Sequence, residues 1–441
     1  MALLPDAPIE TMADHLAAGG GEGLENAIAL DPDEVIAEIT ESGLRGRGGA
    51  GFPTGAKWAS VSGQPDLGDV YLVCNAAEGE PGTYKDRALI AANPFQLVEG
   101  VLIAAYAIGA RGAVIAVKAR HTHHVARLEQ AIDAAVAAGW RGADRVELVT
   151  GPDEYLFGEE KAMLEVIEGK NPMPRILPPY MQGLFATMDR PNPTAVNNVE
   201  TLSHVACILR DGAAAWRSEG TEGAPGTLVF TVTGDVPRPG VYELPLGTSL
   251  RTLICELAGA EEPRWIISGT SNTVITPDLL DLPMDFDSFA EAGTGLGSGG
   301  FVVYGADRDP VQVTTALAEF LAVESCGQCN ACQLGTAAMA DHLHALDEGR
   351  GGPEDLEGIR GWLPHVTDAN RCYLPVGAQL TIGSMLDEFG EAFAARAAGA
   401  GAVPAEHRAP VPKIESLTEG HATFDPDYHR KRRDWSYADE G

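Results

Sequence analysis

The chain is short of positive charge. Its 441 residues carry 31 Lys and Arg against 63 Asp and Glu, a formal net charge of −32. A nucleic-acid binder needs a positive footprint, so general nucleic-acid binding is not expected. The excess acid serves solubility, and it also suits a salt-adapted source or a basic partner. Long apolar runs are missing too. No stretch reaches the roughly 18 residues that a membrane span requires. The start, Met1 to Asp6, lacks a basic region leading into an apolar one, so no signal peptide is expected. Cysteine is scarce and odd in number, seven in all. Its clustering does not suit a disulfide framework and favours a reducing, cytoplasmic location. Internal repeats are absent.

What is present divides the chain into several parts. Residues 1–40 read as a helical segment, with apolar and acidic residues at helical spacing from Leu24 to Thr40. Residues 41–220 read as an α/β domain. Val70–Cys74, Ala113–Val117 and Val146–Val149 are strand-like, and helical stretches at Pro94–Ile108 and His124–Ala138 separate them. That alternation implies a largely parallel sheet. Residues 221–305 hold short strands at Thr227–Gly234 and Gly240–Leu244, joined by a Pro- and Gly-bearing turn. With a helix at Ser249–Ala258 they suggest a small β-grasp-like domain. Residues 306–400 are mostly helical, and 401–441 form a Pro-, His- and charge-rich tail that reads as irregular.

Three cysteines fall in one run, Cys326, Cys329 and Cys332, within ESCGQCNACQLG, and Cys372 follows in NRCYLP. C-x2-C-x2-C plus a remote Cys is the pattern of a [4Fe–4S] cube, in which each thiolate holds one iron corner. Four cysteines can also hold tetrahedral zinc, although paired C-x2-C knuckles are the usual arrangement there. Cys74, Cys207 and Cys255 are isolated and read as small buried hydrophobes. His121, His123 and His124 have no Cys or carboxylate companions and read as an exposed helix start.

The stretch from Gly43 to Gly55, GLRGRGGAGFPTG, is dense in glycine. Such a backbone turns its N–H groups toward one concave point and lets a ligand approach closely. Arg45, Arg47 and Lys57 add positive charge, so a phosphate-bearing cofactor suits the loop. It lacks the GxxxxGK(S/T) pattern of a Walker loop, and it precedes the first strand, unlike an ordinary Rossmann fingerprint.

Five segments in order then carry a resemblance: GLRGRGGAGFPTGAKW from Gly43, CNAAEGEPGTYKDR from Cys74, YLFGEE from Tyr155, VNNVETL from Val196 and ESCGQCNACQLG from Glu324. The chain resembles the family of the NADH-accepting flavoprotein (51-kDa) of respiratory complex I, a module also found in NAD-dependent hydrogenases and formate dehydrogenases. The resemblance runs from about residue 15 to 395. It implies a Rossmann-like FMN/NADH domain, an SLBB-type β-grasp domain and a helical bundle carrying a [4Fe–4S] cluster. It places FMN with Gly46, Gly48, Lys57, Asn75, Gly158, Glu159, Asn197, Asn198 and Thr201. It gives NADH to Phe52, Glu80, Glu160 and Tyr180, and the cluster to Cys326, Cys329, Cys332 and Cys372. Acidic groups on the ribose hydroxyls would favour NADH over its 2′-phosphorylated form.

The implied activity is a diaphorase-type oxidoreductase. Electrons pass from NADH through FMN and the cluster to a [2Fe–2S] subunit or a soluble ferredoxin. No catalytic acid or base is named. The alternatives are the reverse flow, ferredoxin-linked NAD+ reduction, and a non-catalytic zinc-bound or cofactor-poor scaffold. Three positions depart from the family pattern. Ala77 stands where many members have Asp, Leu177 where many have Lys, and Ser60 where an aromatic is common. The basic tail, His429 to Arg433, suits either an acidic partner or a solvated terminus.

Overall fold

The computed structural model describes residues 2–63, 65–400, 409–418 and 420–438. The chain forms two compact bodies. The first comprises residues 1–79, 84–230 and 241–248, and the second 80–83, 231–240 and 249–441.

The first body opens with three short helices, α1 (Met12–Ala17), α2 (Glu22–Ala29) and α3 (Pro32–Ser42). In α3, Asp31 and Glu34 form a capping box, Pro32 starts the helix, and Gly43 ends it at φ 71°. The glycine loop leads into α4 (Thr54–Val61). Then come β1 (Tyr71–Ala76), α5 (Lys85–Ala92), α6 (Pro94–Ala107), β2 (Gly112–Lys118), α7 (Thr122–Ala137), β3 (Val146–Gly151) and α8 (Glu160–Ile167). After a long loop follow β4 (Thr194–Asn198), α9 (Val199–Asp211) and α10 (Ala213–Trp216).

The four strands form a parallel sheet in the order β3-β2-β1-β4. Both faces are buried, as a parallel sheet requires. Leu72, Cys74, Ile115 and Val117 face one apolar cluster. Val73, Val114, Ala116 and Val196 face the other. Gly100 lets α6 and α9 touch, since a Cβ there would lie 1.9 Å from the Leu202 carbonyl oxygen.

The strand order reverses between β1 and β4. In an open α/β sheet that switch point, at the carboxyl ends of the strands, is where ligands bind. Strand β4 was not expected. Its Asn-Asn pair is poor in strand propensity, and pairing with β1 overrides that.

The chain continues through β5 (Thr227–Gly234), β6 (Gly240–Pro245), β7 (Trp265–Ser268), α11 (Phe286–Glu291) and β8 (Gly300–Tyr304). In the second body Thr231–Gly234 pairs parallel with β8, and β7 pairs antiparallel with β8. The helix expected at Ser249–Ala258 winds as a π-helix over Thr252–Leu257. The helical part comprises α12 (Pro310–Val323), α13 (Asn330–Asp347), α14 (Pro353–Trp362), α15 (Leu374–Glu388) and α16 (Gly390–Ala397).

The tail differs from the irregular, solvated terminus that its composition suggests. It forms a hairpin of β9 (Ile414–Thr418) and β10 (His421–Phe424), and Lys431 beyond it is 5% exposed. Among the described residues no single helix is long and apolar enough to cross a membrane.

Candidate functional site

At the switch point, β1 and β4 run in register, with Cys74 opposite Asn197 and Asn75 opposite Asn198. Asn75 and Asn198 thus stand side by side at the carboxyl edge. Asn75 Nδ2 donates to the Gly158 carbonyl at 2.7 Å, which ties the 155–160 turn to this edge. A Cβ on Gly158 would lie 3.1 Å from the Ala77 carbonyl oxygen, so glycine permits the approach. Asn197 is buried and its Oδ1 accepts from Trp58 Nε1 at 3.0 Å, fastening α4 to β4. Lys57 Nζ, on the same helix, reaches the Val196 carbonyl at 2.9 Å and Glu160 Oε1 at 2.6 Å.

The glycine loop closes on itself through Gly46 N to Phe52 O, 2.8 Å, and Thr54 N to Leu44 O, 2.9 Å. Its tip crosses α9. A Cβ on Gly48 would lie 3.3 Å from Asn198 Cβ, and Arg47 N donates to Thr201 Oγ1 at 2.8 Å. Among the described residues, the N–H groups of Gly48, Gly49 and Ala50 donate to no backbone or side-chain acceptor. Backbone donors in that condition seek a ligand or water, so the loop fits an anionic sugar-phosphate.

Arg47 corrects the expected charge pattern. It is buried, and its Nη2 donates inward to the Thr227 carbonyl at 2.9 Å. Burial pushes its guanidinium down to about 10 despite Glu200 nearby. It braces the loop from beneath through the Arg45 and Thr227 carbonyls. Thr201 is likewise fully buried and supports the loop backbone.

Beneath the edge lies a charged network that sequence reasoning missed. Lys85 Nζ stands 2.7 Å from Asp86 Oδ1, 2.9 Å from Glu200 Oε2 and 3.0 Å from Asn198 Oδ1. Asn198 Nδ2 completes the ring by donating to Asp86 Oδ2 at 2.6 Å. Glu78 accepts from Asp86 N and Arg87 Nε. The available signal was charge density in EGEPGTYKDR, too high for an ordinary turn. Lys118 was also missed. It is buried at the end of β2, with Nζ 3.2 Å from Asp153 Oδ1, and a Cβ on Gly79 would lie 2.9 Å from that Nζ.

The four residues expected around NADH are not gathered equally. Phe52 is 54% exposed on the glycine loop, and Glu160 pairs with Lys57. Tyr180 is half exposed. Its neighbour Pro179 accepts from Thr194 N at 3.0 Å, which anchors it at the amino end of β4. Glu80 belongs to the second body, where its Oε1 accepts from Thr270 N at 2.6 Å and from the Thr270 and Ser271 hydroxyls at 3.2 Å. Glu159 caps α8 through Lys161 N and Ala162 N, yet burial pushes its carboxyl up to about 7.

In the second body Cys326 and Cys329 lie between α12 and α13, with Gly327 at φ 75° turning the chain between them. Cys332 is in the first turn of α13, and Cys372 precedes α15. Gln328 links the two cysteine segments: its Nε2 lies 3.5 Å from Cys326 Sγ and its Oε1 accepts from Arg371 Nη1 at 2.8 Å. All four cysteines are free thiols. Burial pushes Cys332 up to about 11, and the neighbouring Cys326 and Cys329 add to this. Soft thiols that resist ionising alone become thiolates when iron supplies positive charge, so the donor set fits a cluster. Among the described residues no three His, Cys, Asp or Glu side chains converge on one point as a ready cage for a single ion.

The isolated cysteines divide: Cys74 and Cys207 are buried as expected, while Cys255 is partly exposed. His121 and His124 are less exposed than their sequence suggests. Burial, with Arg87 next, pushes them down to about 2 and about 4.

Comparison with known proteins matches these parts one by one. Residues 39–207 match the Nuo51 FMN-binding domain, 229–268 the SLBB domain, and 312–396 the NADH-ubiquinone oxidoreductase-F iron-sulfur binding region. The second NADH-quinone oxidoreductase F-subunit of Rhizobium meliloti is 39% identical over 403 residues, covering 87% of this chain and 94% of that protein. The chain belongs to the family of NADH-quinone oxidoreductase F-subunits. The F-subunit of Streptomyces coelicolor is 38% identical, with 87% of each chain covered. Among solved structures, an NAD+-reducing [NiFe]-hydrogenase in the H2-reduced state matches with a TM-score of 0.78 and 35% identity, covering 88% of this chain and 67% of that one. The iron–sulfur region of the F-subunits contains all four cysteines discussed above. Their flavin region contains the glycine loop, β1 to β4 and the network beneath them. The tail lies beyond residue 396, where the last matched family region ends.

Proposed function

We propose that this chain oxidises NADH with FMN and passes single electrons through a [4Fe–4S] cluster to a separate carrier protein. The observation that carries this reading is the switch point itself. Asn75 and Asn198 stand in register there, under a glycine loop whose N–H groups at 48 to 50 have no protein acceptor among the described residues.

Bound FMN supplies a ring that takes two electrons together and releases them singly. The chain's residues hold it. Gly46 and Gly48 keep the loop open to the phosphate side, and Thr201 fixes that loop from below. Lys57, Asn75, Gly158, Glu159, Asn197 and Asn198 define the pocket floor and rim. Phe52 offers a face for the base of NADH, and Glu160 accepts from ribose hydroxyls. Tyr180, set apart at the amino end of β4, suits the far end of an extended dinucleotide. Glu80 is assigned to the dinucleotide from the family pattern alone. Hydride transfer asks no proton of the protein, so no side chain is assigned as acid or base. Cys326, Cys329, Cys332 and Cys372 hold the cluster. The carrier is a [2Fe–2S] protein or a ferredoxin, and the setting is cytoplasmic.

The test is anaerobic purification with flavin and iron quantified, followed by dye reduction with NADH, with NADPH and with neither. NADH-dependent reduction is expected. Bound flavin and iron with no activity from either nucleotide would overturn the hydride donor, and a colourless zinc protein would overturn the relay. The likeness to an NAD+-reducing hydrogenase favours also measuring the reverse reaction, NAD+ reduction by a reduced ferredoxin.

A further inference from the structure

The C-terminal tail lies outside the matched regions, the last of which ends at residue 396. Among its basic residues His429 and Arg432 face solvent, whereas Lys431 is buried. Lys431 Nζ lies 2.8 Å from Glu324 Oε1, and each side chain is 1% exposed. Tyr428 Oη donates to the same oxygen at 3.0 Å, and its ring packs on Phe320 with centroids 5.5 Å apart. Trp435 Nε1 donates to the Val323 carbonyl at 2.9 Å. Trp435 holds φ 66°, which non-glycine residues rarely adopt. Arg433 Nη2 stands 2.8 Å from both Glu319 Oε2 and Asp341 Oδ1.

These contacts converge on one place. Val323 is the last residue of α12, Glu324 is its cap, and Cys326 is two residues on. Asp341 lies on α13, whose first turn carries Cys332. The tail therefore grips both stems of the cysteine loop. A charged segment that served only solubility would stay in water. This one instead buries a lysine against a carboxylate, an arrangement with a real desolvation cost.

We propose that the tail is a strap that positions the cysteine loop, with Lys431 the positioning residue that neutralises Glu324 beside the cluster. The inference rests on the cluster reading given above. Without Lys431, the carboxylate would lose its lysine partner in a low-dielectric setting two residues from a ligand. A negative charge there disfavours an added electron, so the cluster becomes harder to reduce. Trp435 and Tyr428 act on the geometry of the loop and not on its net charge.

The experiment uses the full-length, flavin- and iron-loaded protein and four variants: Lys431→Met, Lys431→Arg, Glu324→Gln with Lys431→Met, and Trp435→Phe. Cluster potentials come from a redox titration followed by EPR, and iron release to a chelator is timed. Flavin content is expected to stay at the wild-type level in all four. Lys431→Met should shift the midpoint negative and broaden the EPR signal. Lys431→Arg should stay near wild type, and the double variant should recover most of the shift. Trp435→Phe should leave the potential in place and release iron several-fold faster. If Lys431→Met loses its flavin and so fails to fold, Trp435→Phe alone decides. Potential, line shape and release rate that match wild type in every folded variant would overturn the strap. Wild-type protein that holds no iron would overturn the cluster reading instead.

Discussion

Lys57 and Glu160 form an ion pair across the mouth of the switch point, Nζ to Oε1 2.6 Å, with side chains 25% and 43% exposed. One partner is assigned to the flavin and the other to the nucleotide. Such an exposed pair contributes under about 1 kcal/mol to stability, so substitutions here test binding with little effect on the fold. Glu160→Gln should keep flavin and raise the KM for NADH about tenfold, or about 1.4 kcal/mol. Lys57→Met should lower flavin content. Flavin absorbance and steady-state kinetics check both, and an unchanged KM in Glu160→Gln would count against the ribose assignment.

Glu159 gives a pH dependence. Burial raises its carboxyl from 4.5 to about 7 in the folded chain, against the opposing pull of Lys161. The folded state keeps a proton that the unfolded state releases. The stability linked to it is fully present below about pH 4.5 and lost as pH rises through about 7. Glu159→Gln cannot ionise, so it should gain on wild type between about pH 5 and about pH 8, by on the order of 1–3 kcal/mol. Urea unfolding of the flavin-free chain at both pH values measures this. A difference that does not change with pH refutes it.

Lys85 is fully buried between Asp86 and Glu200. Removing the cation leaves Asp86 and Glu200 in the interior without their lysine partner. Lys85→Met should therefore destabilise the first body by about 3–5 kcal/mol and reduce flavin content through Asn198. A shift in denaturation midpoint smaller than about 1 kcal/mol would show that the network relaxes without its centre.

Leu177 is 42% exposed in the segment before β4, where many family members carry Lys. Leu177→Lys should lower the KM for NADH by a factor matching about 1–2 kcal/mol, the value of a cation on a phosphate oxygen. The flavin content should not move. No change in KM would place the segment outside the nucleotide path.

Much of the site is legible without coordinates because its chemistry is local. The glycine loop announces an open backbone, and C-x2-C-x2-C sets three thiols within one turn and a helix start. The first three strands follow from their apolar runs. Strand β4 does not, since Val196, Asn197 and Asn198 lack the pattern and owe their state to β1. Arg47 also misleads, because nothing local tells an arginine that reaches a ligand from one that turns inward to Thr227.

The sequence by itself determined the family, the three matched regions and the C-x2-C-x2-C run with its remote Cys372, all properties of residue type and spacing. Tertiary structure alone decided which charges are buried. It brought Asn198 beside Asn75, Lys85 beside Glu200, and Lys431 beside Glu324 across 107 residues of chain. Burial of a charge depends on partners far away in sequence. The same lysine reads as part of a solvated tail or as the buried partner of Glu324 until those partners are known.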